Sequence, residues 1–145
     1  WGRLHQERHR FLARAHVNQF LGYANAQLQR LFGKRGQKDC HRPFLEEQFG
    51  YDTKYAMHDI RLLYEAKELL TTGRITFPRP EVELLKDIRK GKFKLYEIEQ
   101  MANQLEVEVL AARETSPLPD KVNRAEISAL IADVYRLAWD WQNKP

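Results

Sequence analysis

The sequence predicts an all-α fold of about five helices, packed as an irregular bundle. Two observations carry this prediction. Apolar residues recur at three- and four-residue steps along most of the 145 residues, and glycine or proline stops that pattern at intervals. One short extended segment is expected near residues 74–77, where β-branched and aromatic residues lie beside prolines.

The first predicted element is a long amphipathic helix from about Leu4 to Phe32. Its apolar side chains follow the helical period, and no proline interrupts them. Gly33 ends it, and residues 33–43 form a basic loop because glycines and a proline break any continuing helix. A short helical turn over Phe44 to Gln48 follows, and Gly50 closes it.

The next helix begins at Asp52 or Thr53, either of which can accept a backbone hydrogen bond as the N-cap. It is predicted to run to about Thr72, with Gly73 as its C-terminal stop. Residues 74–80 contain two prolines and are therefore an extended connector, or at most an edge strand.

The remaining elements are also helical. A short helix from Glu81 to Lys90 is closed by Gly91, and a longer one continues from Leu95 to Glu114. Residues 116–119 are a stiff linker, and an Asn-x-x-Glu pattern at Asn123 starts the last helix.

The composition limits the class of protein. A length of 145 residues suits a single helical domain, 1–145, and no run of about 18 apolar residues predicts a membrane span. The net charge of +4 allows contact with phosphates without requiring it. The single cysteine, Cys40, indicates a reducing compartment, so we expect a cytoplasmic protein. The chain starts at Trp1 without a methionine, and we expect it to be the later part of a longer protein.

One narrow line of charge interrupts the largely apolar helix over 53–72. With Lys54 set at zero, His58, Arg61 and Glu65 all fall within about 40° of it on a helical wheel. The line could be an internal ladder of ion pairs, because Glu65 lies four residues after Arg61. It could also be an anion site, since an ammonium, an imidazole and a guanidinium together suit a polyphosphate.

The basic loop offers candidate contacts to a nucleic-acid backbone. These candidates are Lys34, Arg35, Lys38 and Arg42. The loop lacks the spacing of a phosphate-binding loop, and no strand precedes it. Residues 89–94 form a second basic cluster, which is more often a solvated face than a binding groove.

No catalytic residue and no metal site are predicted in this chain. The closely spaced acidic pairs fall on predicted helices, where a two-residue step separates side chains by about 200°. Such carboxylates diverge, whereas metal-dependent phosphoryl or nucleotidyl transfer needs them to converge on divalent cations.

The segment Gly50-Tyr-Asp-Thr-Lys-Tyr-Ala-Met-His-Asp-Ile-Arg-Leu-Leu63 resembles the signature helix of the predicted nucleotidyltransferases of the RNA-repair-pathway DNA polymerase beta family. Further segments resemble that family in the same order, over nearly the whole chain: Phe20-Leu-Gly-Tyr-Ala24 with Gln27, Glu68-Leu-Leu-Thr-Thr-Gly-Arg74, Ile88-Arg-Lys-Gly91 and Ser116-Pro-Leu-Pro-Asp120. The family's Gly-Ser element and paired metal-binding aspartates are missing here, so only its C-terminal helical part is matched.

The resemblance implies a nucleotide-binding site at Tyr51, Asp52, Lys54, His58 and Arg61. In this interpretation Lys54 and Arg61 bind phosphates, His58 donates a hydrogen bond, and Tyr51 lies beside a base or sugar. Asp52 could serve only to cap its helix. The implied partners are a nucleoside triphosphate, RNA as a candidate acceptor and an N-terminal catalytic domain of the same protein. That domain, outside this chain, would hold Mg²⁺.

Two functional hypotheses follow from the sequence. The first is the helical nucleotide- or substrate-binding domain of a polymerase-beta-like nucleotidyltransferase that acts in RNA repair or modification. The alternative is a free-standing helical module that binds RNA or another protein and has no catalytic activity.

Overall fold

A computed structural model describes residues 2–31 and 42–142. The predicted all-α class is confirmed, since these residues form seven α-helices and two short 3₁₀ helices, and none of them lies in a strand. The α-helices are α1 (Gly2–Gln6), α2 (Val17–Leu31), α3 (Pro43–Phe49), α4 (Thr53–Thr72), α5 (Val82–Arg89), α6 (Leu95–Thr115) and α7 (Arg124–Gln142).

The chain divides into two compact units. The central unit is Val17–Pro117, and the terminal unit combines Trp1–His16 with Leu118–Pro145. The sequence-based prediction of one domain stays a prediction. No helix in the described part of the chain combines the length and apolar character needed to cross a bilayer.

The central unit is built around α4, which packs against α2, α5 and α6. The sequence explains this position, because apolar residues cover most of the circumference of α4 and must be buried on several sides. The α4 side chains that lie in the core are Ala56, Ile60, Leu63, Ala66 and Leu70.

Both ends of α4 follow from local sequence and lie where they were predicted. Asp52 is the N-cap, and its Oδ1 accepts the backbone N–H groups of Lys54 at 2.9 Å and Tyr55 at 3.3 Å. At the other end Gly73 has φ = 68°, a left-handed conformation that favours glycine, and its N–H donates to the carbonyl of Leu69 at 2.9 Å.

The predicted long helix from Leu4 to Phe32 is wrong over its first half. The chain instead forms α1, 3₁₀ helices at Arg8–Phe11 and Arg14–His16, and only then α2. Contacts within the terminal unit replace helical hydrogen bonds at this break. The N–H of Arg14 donates to the carbonyl of Pro119 at 2.8 Å, and the N–H of Ala15 donates to that of Asp120 at 3.2 Å.

The connector between α4 and α5 forms a loop tied by side chains rather than a strand. Glu68 accepts the N–H of Thr76 at 3.1 Å and also pairs with the guanidinium of Arg79. Arg79 is only 7% exposed and also lies 3.0 Å from a carboxylate oxygen of Glu81. The expected extended segment near residues 74–77 is therefore a loop without strand pairing among the described residues.

Candidate functional site

A cavity of about 480 Å³ opens in the central unit between α2, α4 and the residue that precedes α3. Four of its lining residues are cationic, and no carboxylate from the described part of the chain lines it. Aromatic, amide and thioether groups complete the wall. The lining residues are Tyr23, Gln27, Arg30, Arg42, Lys54, Tyr55, Met57, His58 and Arg61.

The predicted line of charge on α4 faces this cavity. Lys54, His58 and Arg61 all contribute to the lining. Glu65 does not, but its Oε1 lies 3.6 Å from Nε of Arg61, so part of the predicted ion-pair ladder also exists. The two interpretations of the line are therefore compatible, because Glu65 approaches Arg61 from outside the cavity wall and leaves the hollow open.

His58 and Arg61 are in direct contact, with 2.7 Å between Nδ1 of the imidazole and Nη2 of the guanidinium. On the other side, the ring of Tyr23 meets the imidazole edge-on at 5.6 Å between centroids. Burial lowers the pKa of His58, and the positive charges of Arg61 and Lys54 lower it further. The lowered pKa favours the neutral form of His58 at pH 7.

Asp52 and Tyr55 both hold Arg42 at the cavity. Its Nη1 lies 2.8 Å from Oδ2 of Asp52, and its guanidinium carbon lies 5.2 Å from the centroid of the Tyr55 ring. Asp52 is only 3% exposed, so this charge pair is largely protected from solvent. Asp52 thus supports the cavity from behind rather than lining it.

Tyr51 also lies behind the cavity rather than on its wall. It is buried in the core, and its hydroxyl donates to the carbonyl of Phe93 at 2.8 Å. Burial raises the pKa of its hydroxyl, and the negative charge of Glu97 adds to that effect. Of the five residues that the resemblance implied, the structure brings Lys54, His58 and Arg61 together on the wall and places Tyr51 and Asp52 behind them.

Sequence reasoning did not assign the α2 side of the cavity. Tyr23, Gln27 and Arg30 are spaced four and three residues apart, so they share one face of α2. A signal was present at Gln27, a polar residue on the apolar side of a predicted helix, and it is only 2% exposed. Tyr55 and Met57 on α4 also line the cavity, and the sequence pattern marks them only as part of the apolar surface of that helix.

Of the four predicted nucleic-acid contacts, the structure describes only one. Arg42 lines the cavity, and the other three, Lys34, Arg35 and Lys38, lie outside the described residues.

The second basic cluster, residues 89–94, is only partly paired within the fold. Lys92 lies 2.8 Å from Asp87, and Arg89 donates to the hydroxyl of Thr53 at 2.8 Å. The adjacent Lys86 is paired with Glu83 at 2.7 Å. One cation of the cluster is thus ion-paired and another donates to a neutral hydroxyl, while Arg89, Lys90, Lys92 and Lys94 are all exposed.

The cavity does not suit a divalent metal. Mg²⁺ prefers oxygen ligands, whereas the charged groups on this wall are cations. Within residues 2–31 and 42–142, no group of three or more His, Cys, Asp or Glu side chains is placed to hold a metal ion. The expectation that residues outside this chain bind Mg²⁺ stays a prediction.

A second unusual group, Asp59, lies in the core away from the cavity. It is 0% exposed, and neither carboxylate oxygen has a hydrogen-bond partner among the described residues. Burial raises its pKa to about 7, and the negative charge of Glu106 contributes to that shift. A helical wheel places Asp59 about 140° from Lys54, in the middle of the apolar arc of α4, so the sequence contained this signal.

No model of a known protein family, no curated protein and no solved structure matches this chain.

Proposed function

We propose that this chain is the helical nucleotide-binding part of a polymerase-beta-like nucleotidyltransferase that acts on RNA. The observation that carries the proposal is the cationic cavity beside α4, which contains Lys54, His58 and Arg61 of the segment that resembles that family. Its volume of about 480 Å³ falls in the usual range for small-molecule sites, roughly 300–1,000 Å³.

The charge distribution favours an anionic ligand. Asp52 compensates Arg42, and Glu65 approaches Arg61, but the ammonium group of Lys54 makes no ion pair with any described residue. Gathering several cations around one hollow costs free energy that a bound polyphosphate offsets. In this proposal Lys54 and Arg61 bind phosphate oxygens, and His58 donates a hydrogen bond.

The other lining groups favour a nucleotide over a bare phosphate. Tyr23 and Tyr55 offer aromatic surface, and Gln27 offers a buried amide that can recognise a base or sugar. Tyr51 and Asp52 contribute indirectly, because they secure the start of α4 on which Lys54 is carried. The transfer step itself would depend on metal-binding aspartates of an N-terminal domain outside this chain.

Calorimetric titration of the 145-residue chain with ATP, with and without magnesium, tests the proposal. Each lost charge-assisted contact is worth about 1.5–3 kcal/mol, so Lys54→Ala and Arg61→Ala should each weaken binding by roughly 10- to 100-fold. Lys67→Ala and Arg74→Ala are the matched controls. Both remove a cation at or near α4 outside the cavity, and both should bind ATP as the unaltered chain does.

Failure of the unaltered chain to bind ATP would overturn the proposal. So would equal losses in the cavity variants and their controls, provided that thermal melts show all four variants folded.

The RNA-binding alternative predicts a different pattern. An RNA oligonucleotide should then bind with an affinity that depends mainly on Arg35, Lys38 and Arg42 and is insensitive to Lys54→Ala.

A further test of the proposed function measures catalysis. The isolated chain should not incorporate labelled nucleotide into RNA with magnesium, and robust incorporation would contradict the assignment of catalysis to another domain.

A further inference from the structure

The contact between His58 and Arg61 determines where the imidazole carries its proton. A guanidinium can only donate hydrogen bonds, so Nδ1 of His58 must accept from Nη2 of Arg61 across their 2.7 Å contact. A neutral imidazole that accepts at Nδ1 carries its hydrogen on Nε2. His58 is therefore a neutral ring with one donor, the Nε2–H group.

The surroundings of His58 maintain this state. Lys54 and Arg61 on the same helix are positive and disfavour a third positive charge. From α2 the ring of Tyr23 lies edge-on to the imidazole, and Arg30 adds a further cation to the wall. Arg42 contributes another cation ahead of α3. The carboxylate of Glu65 contacts Nε of Arg61 rather than His58.

We propose that the His58–Arg61 pair is the subsite for a phosphate group of the ligand, and that filling it adds one proton to His58. This inference rests on the proposed nucleotide-binding function. The proton comes from solvent and binds to Nδ1, and the hydrogen bond from Arg61 to that nitrogen breaks. Nδ1–H of His58 and Nη2 of Arg61 then both donate to phosphate oxygens.

Electrostatics supplies the reason for this exchange. A phosphate that carries negative charge beside Lys54 and Arg61 offsets the repulsion that keeps His58 neutral. An imidazolium with two donors also satisfies more phosphate oxygens than a neutral ring whose Nδ1 is occupied by a guanidinium. Protonation and anion binding therefore favour one another, as linkage between two equilibria requires.

The affinity for the ligand should rise as pH falls. The bound protein holds one more proton than the free protein, so binding strengthens towards the range in which free His58 protonates. Between the pKa of His58 in the free protein and its pKa in the complex, the dissociation constant of the ligand should change by up to about tenfold per pH unit.

The experiment is calorimetric titration with ATP near pH 7 in buffers of different ionisation enthalpy, which counts the protons taken up on binding. ATP titrates in this range as well, so the informative quantity is the difference between the unaltered chain and His58→Gln. Glutamine keeps a neutral donor but cannot ionise. The unaltered chain should take up more protons than His58→Gln, by a substantial fraction of one and at most one.

A matched control is His9→Gln, which makes the same replacement at an exposed residue outside the cavity and should show the same proton uptake as the unaltered chain. Nitrogen-15 spectra of the imidazole give a second readout. They should show the neutral Nε2–H form in the empty cavity at pH 7 and an imidazolium after ATP is added.

The outcomes separate this inference from the proposed function. If the unaltered chain and His58→Gln bind ATP with the same proton count, the inference is overturned and nucleotide binding stands. An empty cavity whose His58 carries its proton on Nδ1, or is already charged at pH 7, also overturns it. If ATP does not bind at all, both the proposed function and this inference fail.

Discussion

Oδ2 of Asp52 lies 2.8 Å from Nη1 of Arg42, while Oδ1 of the same carboxylate caps α4. One buried side chain thus links the start of α4 to a cation of the cavity wall. The two functions of Asp52 are separable by mutation, because asparagine retains the cap acceptor but removes the negative charge.

Replacing Asp52 should reveal both functions. Asp52→Ala removes the cap and leaves Arg42 without its buried counter-ion, so we expect a loss of about 2–4 kcal/mol in the free energy of unfolding. Asp52→Asn should lose less, since it keeps the hydrogen bonds to the start of α4. Urea denaturation followed by circular dichroism measures both. Equal losses in the two variants would show that the cap contributes nothing.

The buried carboxyl of Asp59 should make the stability of the protein pH-dependent. Its pKa is raised from 3.8 to about 7 in the folded state, so the folded chain binds more protons than the unfolded chain between those values. The contribution of Asp59 to the free energy of unfolding is fully present below the pKa of this carboxyl in the unfolded chain, and it is lost as pH rises through about 7. The full difference is on the order of 4 kcal/mol.

Urea unfolding at several values from about pH 5 to about pH 8 tests this prediction. The free energy of unfolding should fall with rising pH more steeply in the unaltered chain than in Asp59→Asn, whose side chain cannot ionise. Glu106→Gln removes a negative charge that raises the pKa of Asp59, so it should move the fall to lower pH. Parallel curves for the unaltered chain and Asp59→Asn would contradict the assignment.

Two glycines should respond to alanine in opposite directions. Gly91 has φ = 71°, and a Cβ there would overlap the ring of Phe49, so Gly91→Ala should destabilise the protein by roughly 2–4 kcal/mol. Gly22 lies inside α2, and a Cβ there meets nothing within 4 Å. Gly22→Ala should stabilise by about 0.5–1 kcal/mol. Thermal melts of both variants provide the comparison, and a neutral Gly91→Ala would show that Phe49 moves aside.

The loop between α4 and α5 should depend on Arg79. Arg79→Met leaves the carboxylates of Glu68 and Glu81 without their buried counter-ion. It should therefore lower the free energy of unfolding by about 3–5 kcal/mol. Lys86→Met is the exposed control, because both side chains of the Lys86–Glu83 pair lie at the surface. It should change stability by less than about 1 kcal/mol. Similar losses in both variants, measured by urea denaturation, would rule out a special role for Arg79.

Much of the central unit could be predicted because its signals are local. Helix α4 is determined by signals that each involve residues within one or two helical turns. These signals are the N-cap at Asp52, the left-handed stop at Gly73 and the apolar period between them. The same period places Lys54, His58 and Arg61 on one face without reference to any other element. That reasoning passed over Asp59, which lies on the same wheel but on the side expected to be apolar.

The break in the predicted first helix shows where local reasoning fails. Residues 7–16 contain neither glycine nor proline, so nothing in their own sequence ends a helix. The carbonyls of Pro119 and Asp120, more than 100 positions away, accept the N–H groups of Arg14 and Ala15 and compete with helical hydrogen bonds. Rules based on neighbouring residues cannot predict hydrogen bonds to such distant acceptors.

The amino-acid sequence by itself determined the all-helical class, the ends of α4 and the row of cations along one face of that helix. Only the tertiary structure decided that Tyr23, Gln27 and Arg30 of α2 face this row across an open cavity, and that Tyr51 is buried behind it. The physical reason is range. Helical periodicity relates residues within a few turns, whereas the pairing of two helix faces depends on packing between segments that are distant in sequence.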